Sequence, residues 1–183
     1  MKKLMVMLGA VAMAVCANAA SVYWTCTNVK NSEGATVSGI AYFLTTDTLE
    51  YSAAQALAGK GAAAFTEALD GAYSYQGTSG AFGKATPGVS NATLGLTNGK
   101  DYTGYLMIFD TATITDQSNF YLTSTKGFTA LEGADDVQAA KFGSQSTPSQ
   151  AAGAWSAVAV PEPTSGLLLL LGMAGMALRR KQA

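Results

Sequence analysis

The sequence contains no histidine, and its arginines are confined to Arg179 and Arg180 near the C-terminal end. The first absence removes the commonest general base, the usual zinc ligand and the Ser-His-Asp triad together. The second leaves the long middle of the chain without a bidentate clamp for carboxylate or phosphate. Cysteine is nearly missing too: Cys16 and Cys26 are the whole complement. Cys16 lies in an apolar N-terminal stretch, and if that stretch is removed Cys26 stands alone. No internal disulfide is then possible, and a thiol without histidine is a poor nucleophile. Charge is sparse as well, at 13% of 183 residues with a net of −1. Gly59-Lys60-Gly61 is too short for a phosphate-binding loop.

The chain does carry processing signals. Met1-Lys2-Lys3 is basic, residues 4–15 are apolar, and Ala17-Asn18-Ala19 is a small-x-small site. That order is a secretory signal peptide, with cleavage expected after Ala19. A lipoprotein signal is disfavoured because Val15, not a small residue, precedes Cys16. Residues 20–160 then hold six lysines (Lys30, Lys60, Lys84, Lys100, Lys126, Lys141) against eleven carboxylates, a net of −5. An acidic body without arginine does not attract a phosphate backbone, so nucleic acid is not an expected partner. About 140 residues suffice for one domain with a real core.

Within the body, β signals recur. Residues 22–27 alternate, with Val22, Trp24 and Cys26 on one face. Residues 37–46 and 102–110 are apolar on both faces, as a central strand would be; Leu106 and Ile108 share one side, and Tyr105, Met107 and Phe109 the other. Residues 119–124 alternate with Phe120 and Leu122 inward, and residues 155–160 read as a closing strand. Tyr73-Ser74-Tyr75 and residues 93–96 are weaker candidates. Asn98-Gly99 predicts a hairpin from residues 94–96 into 102–110. Asp47 with Glu50 three positions later reads as a capping box. It would start a helix that buries Leu49, Ala53, Ala56 and Leu57 and is broken by Gly59 and Gly61. Phe65 and Leu69 pair at i, i+4 on a second helical piece stopped by Gly71. Residues 77–90 and 142–153 read as loops, the latter as a flexible lead-in to the tail. The expectation is a mainly β domain, an antiparallel sandwich or partly open barrel with a short helical insertion, followed by a C-terminal hydrophobic helix.

Candidate chemistry is thin. Asp110 and Asp116, or Asp135 and Asp136, are the carboxylate pairs a glycosidase would need; the competing reading is strand ends and a solvated turn. Asp110, Asp116 and Asn119 offer hard oxygen ligands for calcium, but not at the spacing of a calcium loop. Tyr73, Tyr75 and Phe82, in a Gly/Ser-rich region, are candidate sugar contacts. Trp24 and Trp155 have neighbours that suggest core. Cys26 reads as a buried, inert thiol, with an intermolecular disulfide as the alternative. No cofactor and no metal site is expected.

The tail is the most specific segment. Pro161-Glu162-Pro163 is followed by an apolar run over residues 166–178 and then by Arg179, Arg180 and Lys181. Thirteen helical residues reach about 20 Å against a hydrocarbon core of about 30 Å, short for a permanent anchor. The flanking prolines keep Glu162 extended. The basic triplet is a membrane stop that stays on the cytoplasmic side. On residues 160–163, the Leu-rich run 167–171 and the basic end, the tail resembles the PEP-CTERM sorting segment of many Gram-negative bacteria that make extracellular polysaccharide. The resemblance covers residues 160–183 and implies recognition near Pro161-Glu162-Pro163 by a membrane-embedded cysteine protease of the exosortase type. Release or transfer to the cell surface would follow a transient inner-membrane stage. The organisation expected is a signal peptide at 1–19, a secreted β-rich domain at 20–159 and a sorting segment at 160–183. The leading expectation is a non-catalytic surface or matrix protein. A carbohydrate-binding or adhesion module using exposed aromatics, with extracellular polysaccharide as partner, is the runner-up, and a carboxylate-only hydrolase the remote third.

Overall fold

A computed structural model describes residues 20–31, 33–133, 137–143 and 155–159. The C-terminal hydrophobic helix expected from the sequence falls outside them. Two sheets form. The larger has the order β3 (Ser74–Gly77), β2 (Gly39–Thr45), β5 (Asp101–Phe109), β6 (Asn119–Leu122) and β9 (Ser156–Ala157), with β7 (Lys126–Thr129) also paired to β5. The smaller has the order β4 (Phe82–Ser90), β1 (Ser21–Cys26), β8 (Val137–Gly143). Two short helices, α1 (Tyr51–Gln55) and α2 (Ala62–Ala68), lie between β2 and β3 in the chain.

The two-faced pattern of β2 and β5 explains the layering. Side chains alternate across a strand, so Ala41, Phe43, Leu106 and Ile108 join Val22, Trp24 and Cys26 in a core between the sheets. Leu44, Tyr105, Met107 and Phe109 face the other way, where Ala54, Phe65 and Leu69 of the helical segment cover them. The large sheet is thus buried on both faces, and the expected burial of Phe65, Leu69, Phe120 and Leu122 lies on the helical side. Tyr121 points into the inter-sheet core instead. The hinge of that core is Trp24, with ring centroids 5.7 Å from Phe43, 6.2 Å from Tyr73 and 6.1 Å from Tyr75.

Several expectations need correction. The fold is mainly β but not wholly antiparallel: β1 and β8 pair in parallel, Ser21 opposite Val137. Residues 82–90, expected as loop, form β4 against β1. Their glycines serve contact rather than disorder. A Cβ on Gly83, whose φ is +97°, would lie 2.3 Å from the Trp24 carbonyl oxygen, so only glycine lets the two backbones approach there. Residues 142–143 close β8 rather than open a loop. The Asn98-Gly99 turn exists, with Gly99 at φ 74°, but it does not join residues 94–96 to β5. Both edges of β5 are already taken by β2 and by β6 and β7. The 94–96 segment therefore folds as turns, its amides donating to Ser90, Asn91 and Ala92 carbonyls, while Leu96 enters the core. The first helix starts at Tyr51 with no side-chain cap. Asp47 is spent on Lys100 instead. Ala54 is buried there, while Ala53 and Ala56 face solvent.

Candidate functional site

The candidate chemistry of the body resides in its carboxylates, aromatics and hollows. Asp110 follows the end of β5 and accepts the Asn119 backbone N–H and side-chain amide, both at 2.8 Å. Asp116 accepts the Ala62 backbone N–H at 2.7 Å, holding the start of α2 onto the turn before β6. Asp110 closes the junction between the ends of β5 and β6, and Asp116 ties two segments 54 positions apart, so each carboxylate is engaged by backbone. Asp135 and Asp136 lie outside the described residues. Among the described residues, no cluster of three or more His, Cys, Asp or Glu forms a metal-ligand set.

The aromatics expected to touch sugar are drawn onto the inter-sheet core to different degrees. Phe82 is 1% exposed, its ring a core element, so it offers no stacking face. Tyr73 and Tyr75 are half-buried and stand edge-on to Trp24. Their burial follows from β3, which brings them over the inter-sheet core. Trp155 packs on Tyr121 at 5.8 Å and donates its indole N–H to the Lys30 carbonyl at 2.6 Å. Cys26 is fully buried beneath the same core.

A hollow of about 580 Å³ forms an open polar groove at the β5–β7 end. Asp47, Asp101, Thr103, Thr129 and Gln138 line it over the edges of Tyr102 and Phe128. Asp101 accepts the Thr129 hydroxyl at 2.6 Å, and the exposed Asp47–Lys100 pair contributes little to stability. The Asp47 hydrogen bond holds Lys100 more strongly protonated than usual. The groove presents hydroxyl, amide and carboxylate groups, suited to hydrogen bonding; it contains neither a histidine nor a cysteine. Sequence reasoning missed it, because its walls come from β5, β7, β8 and the turn after β2, which only the sheet order brings together.

On the helical side, burial dominates the titrations. The Tyr105 phenol is driven up by burial, with Tyr51 and Glu50 adding to the effect. In the inter-sheet core, burial likewise raises Tyr121, to about 12, with smaller contributions from Cys26 and Tyr51. Tyr105 donates to the Leu49 carbonyl at 2.7 Å and Tyr51 to the Thr123 carbonyl at 3.1 Å. These phenols fasten the helical segment to the sheet.

The C-terminal end of the described fold leads directly into the tail. Residues 159–181 match the model of the PEP-CTERM protein-sorting motif. The chain carries a PEP-CTERM sorting signal. Such a signal marks an exported protein processed by exosortase, a membrane protein, on its way to the cell surface or beyond. No curated protein and no solved structure matches the chain. The motif residues Pro161, Glu162 and Pro163, the basic stop Arg179, Arg180 and Lys181, and the signal-cleavage residues Ala17 and Ala19 lie outside the described residues. Among the described residues, no helix is long and apolar enough to cross a membrane.

Proposed function

We propose that the chain is a non-catalytic protein of the cell surface or extracellular matrix. It is exported by its signal peptide, held briefly in the inner membrane by residues 166–178, and released by an exosortase-type protease acting near Pro161-Glu162-Pro163. The matched sorting motif at residues 159–181 carries this reading. A structural or interaction role for the body is supported by what its polar groups do: Asp110 and Asp116 are committed to backbone junctions, and histidine is absent from the whole sequence. Mass spectrometry of the surface-exposed protein should lack the peptide from residue 166 to 183. Finding that peptide intact in most of the mature protein would overturn the processing step.

A second reading, binding of the producer's own polysaccharide in a biofilm matrix, draws on the polar groove rather than on Tyr73, Tyr75 and Phe82. Its hydroxyl, amide and carboxylate lining is the type that grips sugar hydroxyls. Pull-down on that polysaccharide, lost on Asp101→Ala or Gln138→Ala, would favour it. Retention unchanged by both substitutions would rule the groove out.

A further inference from the structure

The described fold runs to Ala159, and Val160 alone separates it from Pro161. This last stretch is no free tether: it pairs, as the closing strand expected over residues 155–160 would, while residues 144–153 of the expected lead-in lie outside the described residues. On one side β9 pairs with β6, Asn119 opposite Ala157, and the Val158 N–H donates to the Ser118 carbonyl at 3.0 Å. On the other, the Gly59 and Gly61 amides donate to the Ala157 and Val158 carbonyls at 3.1 and 2.9 Å, and Lys60 bridges Ala159. Beneath, the Val158 side chain is fully buried in the core under the helices. Trp155 is tied by its indole to the Lys30 carbonyl. Both backbone edges of the segment are therefore engaged.

Six residues, 160–165, separate Ala159 from the apolar run. Fully extended they span about 20 Å. A protease that takes its substrate as an added strand needs unpaired backbone on that strand, and residues 157–159 are already paired on the fold. We propose that residues 155–159 are a latch over the processing site. While it is closed, the membrane protease reaches at most the six residues after Ala159 and nothing before them. When it opens, at least the eleven residues 155–165 are available, about 36–40 Å of extended chain or more. Local opening of β9, which has two ladder residues, sets the rate of processing. The latch rests on processing near Pro161-Glu162-Pro163 as proposed above.

The test is a pulse-chase in the producing bacterium with the full-length chain, following loss of the tail by mass. Glu162→Ala checks the motif reading by itself: its block supports processing at the motif, and unimpaired processing ends that reading. Val158→Ala deletes two buried methyl groups from the latch, so processing should speed up on the order of tenfold. A flexible Gly-Ser insertion of about eight residues between Ala159 and Val160 supplies reach without opening anything. It should also speed processing, and in that background Val158→Ala should add nothing. If Glu162→Ala blocks processing but the insertion leaves the rate unchanged or lower, the latch is overturned while the motif reading stands. The same holds if Val158→Ala keeps its full effect on the inserted chain. Should Val158→Ala be degraded before processing, the insertion alone decides.

Discussion

Replacing Phe65 with alanine tests whether the helical layer is a docked part of the domain. Phe65 is fully buried, with ring centroids 4.8 Å from Phe120 and 5.5 Å from Phe109. It is the one fully buried side chain of α2, and it lies in the same core as Val158. Truncating such a phenylalanine removes its transfer free energy and leaves a cavity, at a typical cost of about 3–5 kcal/mol. A domain near 140 residues loses about 3–4 °C of Tm per kcal/mol, so the melt should fall by roughly 10–20 °C. The assay is thermal and urea unfolding of the mature protein, read by the fluorescence of Trp24, which is fully buried. Phe65→Leu should fall between, and Val137→Ala, at a site 54% exposed, should stay within about 0.5 kcal/mol. A loss below about 1 kcal/mol for Phe65→Ala, with the urea slope unchanged, would refute the docking.

The tyrosines make stability fall at alkaline pH. A phenol whose folded pKa is raised binds its proton more tightly when folded, so its contribution is intact below pH 10 and is lost as pH climbs toward 12. For Tyr121, a rise from 10 to about 12 corresponds to about 3 kcal/mol. Tyrosinate absorbance should therefore appear together with unfolding, and Tyr121→Phe should flatten the decline between pH 10 and 12; early ionisation of every tyrosine in a still-folded protein would contradict this. Two glycine substitutions should differ sharply. Gly83→Ala meets the Trp24 backbone and should destabilise by several kcal/mol, whereas Gly34→Ala, at φ +81° with no atom within 4 Å, should cost only about 1 kcal/mol. Equal losses in paired melts would show that close backbone approach is not what Gly83 serves.

How much of this was visible in the sequence depended on whether a residue's job was local. The two-faced apolar pattern of β5 and the i, i+4 spacing of Phe65 and Leu69 report burial directly, and both faces proved to be covered. β4 was invisible because its residues are chosen for how closely they let β1 approach, and glycine and proline read as loop to any local rule. Tyr73, Tyr75 and Phe82 looked like a surface cluster because glycines and serines surround them; their burial comes from Trp24, some fifty residues earlier in the chain. The Asp47–Glu50 capping pattern failed because Lys100 competes for the carboxylate across the fold. The sorting motif needed no fold at all: it is a linear signal, legible from Pro161-Glu162-Pro163 and the basic end. The polar groove, assembled from four separate segments, had no linear trace.

The parallel partnership of β1 with β8 also fixes a timetable. In a chain threaded N-terminus first through a membrane, Ser21 emerges early and its partner Val137 emerges 116 positions later. Until then the strand bearing Trp24 lacks one neighbour and leaves a backbone edge unpaired. Contacts of such sequence separation close slowly. On the export route proposed above, the domain would therefore finish only when nearly all of it has crossed, at about the moment residues 166–178 would enter the channel. Completion of the fold and the proposed arrest in the membrane would fall together, so a molecule stalled by its tail would only just have become whole.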